Sequence, residues 1–208
     1  MYKNVIFDLG GVLVNFNPRT FLLDRFCNAQ IEKKVYNITF GSEEWQQLDA
    51  GLLTRLQGNA IMMENAREAG CAFEVQCVLD DWMRALRTKA HTADILRRLH
   101  KMGFRVFYLS NIAEDTFQLI RQRDFFPLFE GGIASYQVHI NKPDPRIYEA
   151  LMRQYQLSYG ETLFIDDNKA NVAAAYELGL TGIHYQNASE LIKSLNSCGI
   201  ALKEHFLW

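Results

Sequence analysis

Apolar residues fall into two patterns along this chain. Short unbroken runs alternate with stretches of helical period. The runs are Lys3-Asn4-Val5-Ile6-Phe7, Phe104-Arg105-Val106-Phe107-Tyr108-Leu109, Thr162-Leu163-Phe164-Ile165 and Thr181-Gly182-Ile183-His184-Tyr185. A weaker one is Gly131-Gly132-Ile133-Ala134. Such runs read as strands buried on both faces of a parallel sheet. Between them lie helices. Thr92 can cap a helix over 93–102, with Ile95, Leu96 and Leu99 on its apolar face and Gly103 at its C′ position. Pro145 opens a helix over 146–155, and helices over 170–178 and 188–198 close at Gly179 and Gly199. Alternating strands and helices predict an α/β fold: a Rossmann-like parallel sheet core with helices on both faces.

From Val14 to about Ala90 the strand pattern is absent. Four helices are expected there, over 19–26, 31–40, 54–69 and 73–87. Thr54-Arg55-Leu56-Gln57 fits a capping box, and Gly70 suits a helix stop. The expected domains are a core of 1–15 and 91–208 and an inserted α-helical cap of four helices over 16–90. The crossings fall near Asn15-Phe16-Asn17-Pro18 and Lys89-Ala90-His91.

Composition narrows the function. The 208 residues exceed one domain at the usual ~150 residues and so accommodate an insertion. The net charge is -2, without a basic stripe, so no nucleic-acid partner is expected. No apolar run approaches the ~20 residues of a membrane span, and the run before Asp8 is too short for a signal peptide. Cys27, Cys71, Cys77 and Cys198 show no C-x-x-C or zinc spacing. They read as reduced thiols of a cytoplasmic protein.

The chemistry gathers at strand ends. Asp8 ends the first run, Ser110-Asn111 the second and Asp166-Asp167 the third. In open α/β sheets ligands bind outside these carboxyl ends. Each group alone has a structural explanation: an Asx turn at Asp8-Leu9-Gly10-Gly11, and helix caps at Ser110 or Asn111 and at Asp166-Asp167-Asn168. Three such ends in one sheet make a site. Asn141-Lys142-Pro143-Asp144-Pro145 adds a cation in a rigid loop. The histidines are scattered, His139 reads as a solvated loop residue, and no G-x-S-x-G elbow is present.

The motifs Val5-Ile6-Phe7-Asp8-Leu9-Gly10-Gly11-Val12-Leu13, Tyr108-Leu109-Ser110-Asn111, Lys142-Pro143-Asp144-Pro145-Arg146-Ile147-Tyr148 and Phe164-Ile165-Asp166-Asp167-Asn168 resemble those of the haloacid dehalogenase-like (HAD-like) hydrolase superfamily. The order matches, and a helical insertion follows the first motif. The chain is most similar to the helical-cap (subclass I) branch, near the bacterial α-D-glucose-1-phosphate phosphatase type. The resemblance implies a phosphatase using Mg²⁺, with Asp8 as nucleophile forming an aspartyl-phosphate. It implies Asp8, the Gly10 carbonyl and Asp167 as metal ligands, and Asp166 acting through a water, or the two aspartates exchanged. It implies Ser110, Gly11 and the Asn111 N–H around the phosphoryl oxygens, and Lys142 neutralising charge. A small phosphorylated metabolite, with sugar 1-phosphates favoured, and a monomer or weak homodimer are expected.

Gly10 departs from the pattern. Most phosphatases of the superfamily carry there an aspartate that protonates the leaving oxygen and later activates water. Either the leaving group is acidic enough to go without it, or another group donates, or the chain is a weakened enzyme or binding protein. A metal-independent 2-haloacid dehalogenase is the other alternative. The pair Asp166-Asp167 argues against it, because acids beside Asp8 repel one another without a cation. Glu43-Glu44-Trp45, Asp49-Ala50-Gly51-Leu52, Phe16 and Asn17 are candidate cap contacts, with Trp45 either stacking on a sugar or packing between helices.

Overall fold

The computed structural model describes residues 1–203. The expected core extends to 208, and 204–208 lie outside the described residues. The chain runs β1 (Asn4–Phe7), α1 (Pro18–Phe26), α2 (Ala29–Ile38), α3 (Glu43–Asp49), α4 (Arg55–Glu68), α5 (Ala72–Asp81), α6 (Ala90–Lys101), β2 (Arg105–Ser110), α7 (Glu114–Ile120), β3 (Gly131–Ala134), α8 (Ser135–Val138), α9 (Pro145–Gln154), β4 (Thr162–Asp166), α10 (Lys169–Glu177), β5 (Thr181–His184) and α11 (Ala188–Ser197). All five strands pair in parallel, in the order β3-β2-β1-β4-β5.

The sheet is α/β because both its faces are apolar. Val5, Phe7, Val106, Tyr108, Leu163 and Ile165 join one buried cluster with Ile95, Leu96 and Leu99 of α6 and Leu191, Ile192 and Leu195 of α11. Ile6, Phe107, Leu109, Ile133 and Phe164 join another with Ile147, Tyr148 and Leu151 of α9. The strand period of two sends alternate residues to opposite layers. Phe7 of central β1 pairs with Tyr108 on β2 and Ile165 on β4. The residues that follow on these three strands therefore emerge side by side.

The insertion is helical, but it holds five α-helices where four are expected. The additional one is α3. Its seven residues span barely two turns, too few to show a period, and Ser42 caps it by accepting from the Trp45 N–H at 3.2 Å. The capping box at Thr54 and Gln57 forms as expected, and Gly70 is left-handed at φ 67°. Helix α6 starts at Ala90, so Thr92 is not its cap. Thr92 lies inside the helix, buried, with its hydroxyl 2.7 Å from the Tyr185 hydroxyl. Helices α7 and α8 are short additions that no periodic signal announces.

The two crossings between core and insertion run as one short ribbon. Asn15 N–H donates to Arg87 O and Lys89 N–H donates to Leu13 O, both at 2.8 Å. Further contacts tie the insertion to the core. Arg55 makes a bidentate pair with Asp115, Asn141 Nδ2 donates to Gln46 O at 2.8 Å, and Ser135 Oγ donates to Asp49 O. Gly51, at φ 65°, allows the turn after α3 to lie on Tyr136, because a Cβ there would sit 2.7 Å from Tyr136 O. His139 is not merely solvated: its Nδ1 lies 2.9 Å from Ala50 O.

Candidate active site

The strand ends bring Asp8, Ser110, Asp166 and Asp167 together, and the loop before α9 delivers Lys142. Asp8, Ser110, Lys142 and Asp166 are all buried. Lys142 Nζ sits 3.1 Å from Asp8 Oδ1, 2.6 Å from Asp166 Oδ2 and 2.7 Å from Leu109 O. Its three donors thus have three acceptors. Its loop is clamped by Asn111, whose Oδ1 accepts from Lys142 N–H at 2.7 Å and whose Nδ2 donates to Lys142 O at 2.8 Å.

The two adjacent aspartates differ. Asp166 is fully committed: besides Lys142 it accepts from Asn168 N–H at 2.8 Å and from Asn171 Nδ2 at 3.1 Å. Asp167 is exposed, and its carboxylate lies against Gly11, whose φ is 73°. A Cβ at Gly11 would collide with that carboxylate, so the glycine permits the approach. Asn168 caps α10, accepting from Ala170 N–H at 2.9 Å.

Burial pushes the Asp8 carboxyl up to about 7; Lys142 opposes this, while Asp166 and Asp167 add to it. Burial works against the Lys142 charge, but Asp8 and Asp166 outweigh it and hold its pKa above the usual lysine value. Carboxylate oxygens of Asp8, Asp166 and Asp167 all lie within 4.8 Å of one another. Lys142, and a second ammonium at Lys89, meet this charge only in part. A hard divalent cation with oxygen ligands suits such a site.

Lys89 is one of two residues beside the site that sequence reasoning missed. It was legible only as part of a crossing. Its Nζ donates to Gly11 O and lies 4.8 Å from the centroid of the Tyr185 ring. Burial lowers its pKa, with Asp167 opposing. Asn171 was missed too, because its partner Asp166 sits across a turn.

Two cavities open beside the strand ends. The larger, about 590 Å³, has Gly11, Lys89 and Asp167 at its floor and Phe16, Phe21, Phe40 and Trp82 in its walls. Asn15, Asn17, Thr20, Asp24 and Gln186 supply polar edges. The smaller, about 40 Å³, is lined by Gly10, Ser110, Asn111, Asp49 and Trp45 among others. Trp45 is buried, its ring 4.6 Å from that of Phe40 and 4.9 Å from that of Trp82. It is a packing residue of the insertion, not a platform in the larger cavity. Glu43 and Glu44 line neither cavity.

The profile of the haloacid dehalogenase-like hydrolases matches residues 2–179. The chain belongs to this family. It is 30% identical over 199 residues to a sesquiterpene phosphatase of Aspergillus oryzae, covering 95% of this chain and 93% of that one. It is 26% identical to a D-ribitol-5-phosphate phosphatase of Bacteroides thetaiotaomicron, covering 95% and 100%. A HAD family enzyme of the same bacterium, crystallised with magnesium and inorganic phosphate, superposes with TM-score 0.68 at 24% identity, over 92% and 99% of the two chains. This protein is a HAD-like hydrolase of the phosphatase type, and Mg²⁺ is the family cofactor its oxygen-rich site fits.

Proposed function

We propose that this HAD-like phosphatase hydrolyses a small phosphomonoester through an aspartyl-phosphate on Asp8. The observation that carries the reading is the buried Lys142 ammonium bridging Asp8 and Asp166 beside the exposed Asp167. Asp8, Asp167 and the Gly10 carbonyl would hold Mg²⁺, and Asp166, with its oxygens already engaged, fixes Lys142 and acts on the metal through water. The ion supplies positive charge that lets an anionic nucleophile meet an anionic phosphoryl group. Asp8 attacks phosphorus. Ser110, Gly11 and the Asn111 N–H hold the phosphoryl oxygens, and Lys142 neutralises charge as it moves. Residues 16–90 act as the cap that excludes water from the cleft.

The substrate proposed is a sugar phosphate, with the 1-phosphate favoured because an anomeric oxygen leaves more readily. The mixed aromatic and amide lining of the larger cavity supports a sugar ring. The wall of Phe16, Phe21, Phe40 and Trp82 also favours a second reading, an apolar ester such as a terpenyl phosphate. A panel of phosphate esters with and without Mg²⁺, beside Asp8→Asn, tests the function. Mg²⁺-dependent phosphate release that Asp8→Asn abolishes is expected. Activity on 2-haloacids that survives EDTA would overturn it in favour of a dehalogenase. Sugar 6-phosphates preferred over 1-phosphates would remove the leaving-group argument. Terpenyl phosphates preferred over both would select the second reading. Cys27, Cys71, Cys77 and Cys198 are free thiols, which supports a cytoplasmic setting, and no helix among the described residues is long and apolar enough to cross a membrane.

A further inference from the structure

The reaction needs a proton donor for the leaving oxygen and an acceptor for the attacking water. Gly10 has no side chain, and the groups already placed are committed. Asp166 is saturated with donors, and Lys142 is shared among Asp8, Asp166 and Leu109 O. In the small cavity beside Gly10, one lining residue carries a carboxyl group. Asp49 ends α3, and its residue lines the same small cavity as Gly10, Ser110 and Asn111. Its backbone and side chain rest on two core segments: Ser135 Oγ, at the start of α8, donates to its carbonyl, and the Ala113 N–H, in the loop after β2, donates to its carboxylate.

Resting on the phosphatase reading, we propose that Asp49 is the general acid and base that position 10 lacks, supplied by the insertion rather than by the first motif. In the first step Asp8 bonds to phosphorus, the bond from phosphorus to the leaving oxygen breaks, and the Asp49 proton passes to that oxygen. In the second step the Asp49 carboxylate takes a proton from water, and the water oxygen bonds to phosphorus. The bond from phosphorus to Asp8 breaks, Asp8 is restored and Asp49 is again protonated. The cavity of about 40 Å³ has room for the water, since one water needs roughly 10–15 Å³ on this measure.

The environment suits both halves of the cycle. Burial pushes the Asp49 carboxyl up to about 7, with Arg55 and the Ala113 N–H opposing and Asp115 and Asp8 adding to it. Those are the charged groups that face it, from α4, α7 and the end of β1; His139 Nδ1 lies against the neighbouring Ala50 O. A group that titrates near neutrality can give and take a proton in one turnover. The arrangement also couples chemistry to closure, because the acid arrives only when the turn after α3 rests on the core.

The test compares wild type, Asp49→Asn and the double variant Asp49→Asn with Gly10→Asp. A Cβ at Gly10 meets nothing closer than Phe16 Cβ at 3.8 Å, so a side chain can begin there without a clash. The substrates are p-nitrophenyl phosphate, whose phenolate leaves without a proton, and a simple alkyl phosphate, each with Mg²⁺. Asp49→Asn should lower turnover of the alkyl ester by ~10²–10⁴-fold. On p-nitrophenyl phosphate it should release one equivalent of nitrophenolate in a burst and then stall at the aspartyl-phosphate. Gly10→Asp should restore turnover to Asp49→Asn, which a merely structural role for Asp49 would not permit. An active wild type with Asp49→Asn within threefold of it on the alkyl ester, or no rescue by Gly10→Asp, overturns the Asp49 assignment and leaves the phosphatase reading standing. A wild type inactive on both esters overturns both.

Discussion

Lys142 and Arg55 are both cations paired with aspartates, and they are held differently. Lys142 is 1% exposed in its side chain and bridges Asp8 and Asp166, all within the core sheet and its loops. Arg55 is 20% exposed, spans from α4 to Asp115 on α7, and leaves its buried Nη1 without a hydrogen-bond partner. It also lies 5.0 Å and 5.4 Å from the Trp45 and Trp82 ring centroids. The partners of the Lys142 ammonium all belong to the core, although the neighbouring Asn141 reaches Gln46 O of the insertion. The Arg55 pair exists only while the insertion rests on the core. On the proposed function, the charge that would meet phosphate is preorganised in the core, whereas the Arg55 contact spans core and insertion.

Changes on the core side should be the more severe. Asp8→Asn should reduce turnover by on the order of 10⁴-fold or more, since removing a nucleophile disables the whole constellation. Steady-state phosphate release measures it. Chelation by EDTA should abolish activity, and added Mg²⁺ should restore it. Lys142→Met leaves Asp8 and Asp166 buried without their shared cation. It should destabilise the metal-free fold by ~3–5 kcal/mol, read as a lower denaturation midpoint, and also stop turnover. A wild-type midpoint for Lys142→Met would break the comparison.

Changes on the closing side should be milder. Asp49 gives a pH signature. Its carboxyl is raised from 3.8 to about 7 in the folded chain. The folded state therefore holds this proton more tightly than the unfolded state does. Its contribution to stability is full below about pH 4 and is lost as pH rises through 7. Because the residue is half-buried, solvent discounts the effect to roughly 1–2 kcal/mol. Metal-free wild type should lose that much more stability than Asp49→Asn between pH 4 and 7 in urea titrations. Arg55→Ala removes a partly exposed ion pair worth roughly 1 kcal/mol. It should raise KM several-fold while sparing the fold. A larger effect on the denaturation midpoint than on KM would show that the pair is structural rather than a latch.

Much of the core was legible from residues alone. Phe7, Leu109 and Ile165 close unbroken apolar runs, and a run buried on both faces has no other stable home than a covered parallel sheet. The polar residues after those runs then had to emerge at one edge. The insertion was less legible. Helix α3 is too short to show a period, and Trp45 reads equally as platform or packing until its neighbours Phe40 and Trp82 are in place.

Strand positions, the helical insertion and the motif residues Asp8, Ser110, Lys142, Asp166 and Asp167 could be read from local pattern, because strand burial and motif spacing are properties of neighbours in the chain, whereas the strand order β3-β2-β1-β4-β5 could not. The unequal duties of Asp166 and Asp167 could not. They follow from Asn171 and Lys142 closing on one carboxylate and Gly11 admitting the other. Lys89 reaches the cleft in the same way, from 78 residues beyond Gly11, and Asp49, legible only as one of several cap candidates, comes to lie beside Gly10 from the end of a helix that carries no signature. Their environment is made by residues far away in the chain, and burial and charge act through space rather than along it.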